Sequence, residues 1–243
     1  RNLFKHFGYS FINILGLAVG IAASVLIFLY VQNELSYDKF HENAERTYRI
    51  TADWSNKGDS RIHQLGTPHI LAQTIREKYP QVEHITQLCG PLGDIIVKYN
   101  ENAIKETDVF GAESSFFDVF SFPLLKGDPK TSLSEPNTIV LSQTMAAKFF
   151  GGEDPLGRTI EMQTSDSPLF LKVTGVVRDV PQNSHFLFGM LISMKTLFPE
   201  PSTGWTNNNY ATYVTLQNGV SQSQMEEKLV EIDKVYGEGG QEH

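Results

Sequence analysis

Gly152-Glu153-Asp154-Pro155-Leu156-Gly157-Arg158-Thr159 has the glycine spacing of a phosphate-binding loop. Such a loop cradles phosphate with backbone N–H groups and grips it with a lysine. Three features of this stretch oppose that chemistry. Arg158 stands where the lysine would be, Glu153 and Asp154 repel phosphate, and Pro155 has no N–H to donate. The order of elements is also reversed, because helical periodicity precedes the stretch and strand alternation follows it. The stretch therefore reads as a Gly/Pro turn between a helix and a strand.

Seven histidines raise the question of a metal. His63 and His69 are six residues apart and His84 is five from Cys89, and neither spacing matches a helical or knuckle ligand pair. No G-x-S-x-G, H-E-x-x-H or C-x-x-C occurs. Nothing in the residues supports an enzyme, a resident cofactor or a metal. The 28 Asp/Glu against 20 Lys/Arg, with no basic run, argue against a nucleic-acid partner. A single cysteine, Cys89, excludes an internal disulfide, so the fold must rest on its core.

The elements that hold these residues begin with an apolar run. No Asp, Glu, Lys or Arg occurs from His6 to Asn33. Phe11–Val31 supplies 21 residues, of which only Asn13 and Ser24 are clearly polar. A helix needs about 20 such residues to cross ~30 Å of hydrocarbon. The alternatives are a buried core helix and a cleaved signal peptide. The apolar region of a signal peptide is only ~7–15 residues long, and this run continues past Ala22-Ala23-Ser24. A transmembrane helix is expected over residues 10–33, with a cytoplasmic flank at 1–9. Arg1 and Lys5 precede the run, and beyond it 18 Lys/Arg face 28 Asp/Glu. The positive end stays in the cytoplasm, so the remainder is expected outside it. Gly16 and Gly20 form a GxxxG that Ser24 extends by one turn, a pattern that lets a second membrane helix approach closely. The chain starts at Arg1 and not at Met, and is expected to be part of a longer protein.

Beyond the membrane, the spacing of Leu35, Phe40, Ala44 and Tyr48 predicts that helix continues through "SYDKFHENAER", with a break near Ser36–Asp38. This segment lacks Gly and Pro and is expected to be a stiff coupling joint. "TYRITADW" reads as a strand from Thr47 to Trp54. "GTPHILAQTIREKYP" reads as a helix capped by Thr67 and stopped by Pro80. Strands are expected in "HITQLCGPLGDIIVKYN", "AIKETDVFGAE", "NTIVLS", "RTIEMQ", "FLKVTGVVRDV", "FLFGMLISM" and "NNNYATYVTLQNG". "SSFFDVF" reads as a short helical turn. Ser142 is the expected cap of a helix ending at Gly151, and Ser221 with Gln224 forms a capping box for a last helix. Two strand–helix units, one near each end, enclose a strand-rich stretch. That order predicts a mixed α/β domain built from both ends of the chain, with a second subdomain inserted.

Three longer stretches carry a resemblance. "SFINILGLAVGIAASVLIFLYVQNELSYDKFHENAERTYRI" resembles the first membrane helix, and the start of the periplasmic part, of FtsX-like ABC transporter permeases. "FFDVFSFPLLKGDPKTSLSEPNTIVLSQTMAAKFFGGEDPLGRTI" and "VTGVVRDVPQNSHFLF" are similar to the MacB-type periplasmic core domain that follows that helix. The resemblance runs from Asn2 to about Tyr236. It implies an α+β fold: a porter-like subdomain from 34–105 and 205–243, and an inserted sabre-like subdomain at 106–204. It implies a non-catalytic, dimeric subunit in the bacterial inner membrane, in contact with lipid and with the remaining permease helices. A separate cytoplasmic ATPase would drive it, and the bulk of the chain would lie in the periplasm. The rival reading is a membrane-anchored periplasmic sensor or ligand-binding domain.

Overall fold

The computed structural model describes residues 7–54, 62–164, 167–200, 202–205 and 207–236. Helix α1 (Phe7–Glu34) has 28 residues, about 42 Å at 1.5 Å per residue. It is long and apolar enough to cross a membrane, and none of it is buried against the rest of the chain. Its leucines and isoleucines, with Phe11 and Phe28, are exposed on every side. A helix apolar all round needs lipid or other helices as its solvent.

The helix ends at Glu34, and residues 35–43 form consecutive turns. The expected helix through "SYDKFHENAER" is therefore corrected. Asp38 has φ 58, a left-handed conformation that no α-helix accommodates and that Asp tolerates better than most residues. A single 3₁₀ turn at Ala44–Arg46 then leads into the sheet.

The sheet strands are β1 (Thr47–Ile50), β4 (Val82–Cys89), β5 (Ile95–Tyr99), β6 (Asn102–Glu106), β7 (Val109–Ala112), β8 (Leu124–Lys126), β9 (Thr138–Ser142), β10 (Thr159–Gln163), β11 (Leu169–Val177), β12 (Met190–Ser193) and β13 (Tyr210–Leu216). Their order is β1-β13-β4-β7-β12-β9-β11-β10-β5-β6, with β8 on β11. Strands β2 (Ala52–Trp54) and β3 (Ile62–Gln64) pair separately. The expected strand from Thr47 to Trp54 is thus broken at Thr51 and shared between two sheets. Most pairs are antiparallel, and β7–β12 and β9–β11 are parallel.

Both strand–helix units come together. β1 pairs with β13, and helices α2 (His69–Lys78) and α6 (Gln222–Tyr236) share an apolar cluster with Ile85, Val214 and Leu216. Thr67 does not cap α2, which has no side-chain cap. Its hydroxyl instead bonds the Tyr210 carbonyl at 3.0 Å and the Thr212 hydroxyl at 2.6 Å. Helix α4 (Gln143–Phe150) is capped as expected, with Met145 N–H donating to Ser142 Oγ at 3.2 Å. The capping box of α6 also forms, through Ser221 N–H to Gln224 Oε1 at 2.9 Å. The β5–β6 hairpin falls within the span 34–105 but pairs with β10, at the opposite end of the sheet from β1.

The two faces of the sheet carry different cores. Ile139 and Leu141 of β9 pack with Met145 and Phe149 of α4. Val140 points the other way, into an aromatic cluster with Phe116 and Val119 of the short helix α3 (Phe116–Val119), Phe120, Phe122, Phe188 and Tyr213. Each buried Phe contributes about 1.5–3 kcal/mol. This aromatic cluster is what the chain docks onto as it leaves α1. A further helical turn, α5 (Met194–Leu197), follows β12 directly.

Candidate functional site at the membrane-proximal joint

Asp38 carries the joint. Its N–H donates to the Asn183 carbonyl at 2.9 Å. Its carboxylate accepts from the His185 N–H at 3.1 Å and lies 2.9 Å from His185 Nδ1. The other ring nitrogen of His185 meets Tyr213 OH at 2.9 Å. Asp38, His185 and Tyr213 thus form a polar chain from the exit of α1 to strand β13. Beside it, Asn183 Nδ2 donates to the Ser36 carbonyl at 3.0 Å and to Ser36 Oγ at 3.2 Å. The left-handed turn at Asp38 aims both groups at the loop between β11 and β12.

A second set of bonds lies three residues on. Ser121 N–H donates to His41 Nδ1 at 3.1 Å, and Glu42 N–H donates to Ser121 Oγ at 3.0 Å. The His41 ring sits among Phe40, Phe120 and Phe122, at centroid distances of 4.2, 5.2 and 4.9 Å. Burial pushes the His41 pKa down from 6.5 to about 4, against the opposing pull of the Asp38 carboxylate. Burial also raises the Tyr213 phenol. Asp38, His41, Arg49, Phe120, His185 and Tyr213 border a half-open cleft of about 230 Å³. The Arg49 guanidinium lies 5.8 Å from the centre of the Tyr213 ring.

The four residues expected at the joint do not form one stripe. Phe40 enters the aromatic cluster, with its ring 5.6 Å from Phe122. Tyr48 packs on the opposite face of the sheet, against the α2/α6 cluster. Ala44 lines the cleft. Leu35 is 61% exposed and packs against nothing comparable. The residues that make the joint are Ser36, Asp38, His41, Asn183, His185 and Tyr213. The sequence reading did not single them out, although five of the six lie in stretches that carry the family resemblance. Their pairing spans up to 147 residues, so no local pattern reports it.

Gly16, Gly20 and Ser24 do fall on one face of α1, where they border a shallow groove with Leu17, Ile21 and Phe28. A Cβ at Gly16 or Gly20 meets nothing within 4 Å, and Ser24 Oγ folds back onto the Gly20 carbonyl at 2.9 Å. The loop at 152–158 directs its donors inward. Gly157 N–H bonds the Val173 carbonyl at 2.8 Å and Arg158 N–H the Pro155 carbonyl at 3.1 Å. Asp154 pairs with Lys126 at 2.7 Å and Arg158 with Glu153 at 3.5 Å. Among the described residues, no group of three His, Cys, Asp or Glu is placed to hold a metal ion. The side chain of His63, in β3, lies outside the described set.

Comparison with known proteins places this arrangement. The family profile of the MacB-like periplasmic core domain matches residues 10–232. The chain belongs to that family. Three solved structures share its fold. A domain of a protein described as a permease, from Porphyromonas gingivalis, is 26% identical, with a TM-score of 0.70 over 81% of this chain and 83% of that one. The periplasmic region of MacB from Actinobacillus actinomycetemcomitans is 18% identical, with a TM-score of 0.57 over 79% and 85%. The extracellular domain of the noncanonic ABC-type transporter YknZ, from Gram-positive bacteria, is 16% identical, with a TM-score of 0.53 over 79% and 91%. No curated protein sequence matches the chain. The chain thus carries a MacB-like periplasmic core domain and, among the described residues, one candidate transmembrane helix at its N-terminal side.

Proposed function

We propose that this MacB-like domain receives mechanical movement from α1 and carries it into the periplasm, for export or envelope signalling. A cytoplasmic ATPase subunit supplies the movement through a dimeric permease in the inner membrane. The observation that carries this reading is the docked exit of α1. Ser36 and Asp38 follow the helix by two and four residues and are tied by five polar contacts to residues 183 and 185. A tether would need no such contacts, whereas a lever needs them. In this reading the sheet end formed by β1, β13, α2 and α6 is the porter-like part, and the inserted 106–204 stretch is the sabre-like part. Gly16, Gly20 and Ser24 receive a neighbouring permease helix within lipid. The permease contributes no catalytic group, because hydrolysis belongs to the ATPase.

The rival sensor reading has less support. The cleft at the joint, at about 230 Å³, is smaller than the ~300–1,000 Å³ of small-molecule sites. The test is the double substitution Asp38→Ala with Asn183→Ala in the complete permease with its ATPase. Membrane insertion and basal ATP hydrolysis are retained, and periplasmic output falls. Normal output from the double variant would refute the lever.

A further inference from the structure

His41 is 7% exposed. Its Nδ1 accepts the Ser121 N–H, so the ring proton must sit on Nε2. That Nε2 is buried with no hydrogen-bond partner among the described residues. Three phenylalanine rings surround the imidazole. The docked geometry is therefore specific for the neutral ring. A second proton would have to go on Nδ1, directly against the Ser121 N–H. It would turn the only accepting atom into a donor and place a charge in an aromatic cage. His185 is different. With one proton it donates from Nδ1 to Asp38 and accepts from Tyr213 at Nε2. With two it still donates to Asp38 and donates to the Tyr213 oxygen. One histidine of the joint tolerates both charge states and the other tolerates only one.

We propose that His41 is a proton-operated latch: the neutral ring holds the exit segment of α1 against the turn at Ser121, and protonation releases that segment. The groups facing His41 are Asp38 on its own segment and His185 on the β11–β12 loop, with Arg49 of β1 and Tyr213 of β13 across the cleft. The turn of Phe120, Ser121 and Phe122 contributes no charge. Asp38 favours protonation, His185 opposes it, and burial outweighs both. Because the docked ring takes up a proton less readily than the released one, the latch is at full strength above the ordinary 6.5. It weakens as pH falls and is spent near 4. Between pH 7.5 and pH 4 the ratio of released to docked segment rises on the order of 100-fold. The consequence for output rests on the lever reading, but the latch itself does not.

The experiment places spin labels on Lys39→Cys and Asp118→Cys, two exposed positions on either side of the contact between His41 and Ser121, in the full chain in lipid nanodiscs. Buried Cys89 is left in place. The label–label distance is narrow at pH 7.5 and broad at pH 4. His41→Asn keeps an acceptor near the place of Nδ1 and cannot titrate, so it stays narrow at both. A wild-type distance that remains narrow at pH 4 overturns the latch, as does broadening of His41→Asn in parallel with wild type. If His41→Asn does not fold, the labelled His41 resonance is followed by NMR in the wild type. Its titration coincides with the broadening, and broadening while His41 stays neutral overturns the proposal. Failure here leaves the lever intact, since the lever is read as periplasmic output at neutral pH.

Discussion

At the scale of single residues, Asp38 combines a backbone requirement with a side-chain one. Its φ of 58 suits Asn, Asp or Gly. Its carboxylate accepts from the His185 N–H and faces His185 Nδ1. Asn meets both requirements. Its Oδ1 accepts from the backbone, and its amide donates to Nδ1 once His185 takes the other tautomer and donates to Tyr213. Asp38→Asn is therefore expected to cost under about 1 kcal/mol, and Asp38→Gly somewhat more through the lost acceptor. Asp38→Ala loses both acceptors and strains the turn, and is expected to cost about 2 kcal/mol, since the pair is only partly buried. Denaturant unfolding of the three variants at neutral pH gives the ranking. A cost for Asn as large as that for Ala would mean that the charge, and not the geometry, holds the joint.

At the scale of elements, α1 is built for two environments. Its groove of Gly16, Gly20 and Ser24 is open in this chain. Leucine at either glycine therefore meets no atom of the same chain and leaves the domain's fold unchanged. It does fill the space that a second helix would use, at a site where membrane helices rely on close backbone approach. Gly16→Leu and Gly20→Leu are expected to leave the chain's unfolding midpoint unchanged and to weaken assembly with the other permease helices, read by co-purification of the complex. Normal assembly would show that the glycines are only composition. The elements themselves were largely legible in the sequence. α1, α4 and α6 announce themselves by an apolar run, by Ser142 with Gly151, and by the Ser221/Gln224 box, because each signal lies within a few residues of the helix it marks. The joint was not legible. Helical spacing of Leu35, Phe40, Ala44 and Tyr48 is accidental here, since Phe40 and Tyr48 pack on opposite faces of the sheet. Its polar contacts join residues 147 apart, beyond any local period. Thr67 shows the same limit. Its position suits a cap, but tertiary bonds to Tyr210 and Thr212 outcompete that role.

At the scale of the whole molecule, the question is how rigidly a sheet of eleven strands follows one helix. The stiffness does not come from continuing helix, which stops at Glu34. In the proposed lever it would come from a short turn clamped on two sides, by residues 183 and 185 and by Ser121. The clamp moves with the domain, so the remaining weak point is the connection between the end of α1 and Ser36. An inserted seven-residue, two-turn helical segment before Glu34 lifts the domain by about 10.5 Å and rotates it by only about 20°, yet keeps helix and clamp in line. A Gly-Ser insertion of the same length behaves as a random coil and absorbs displacement. Both insertions leave the apolar run and the domain core unaltered, so expression, membrane insertion and ATPase binding are expected to survive in both. Periplasmic output of the complete complex is expected to fall sharply with the flexible insertion and much less with the helical one, while ATP hydrolysis continues in each. The measurement is output per ATP hydrolysed for the two variants side by side. Equal, near-normal coupling in the flexible variant would reduce α1 to an anchor and leave the clamp at Asp38 without a mechanical role.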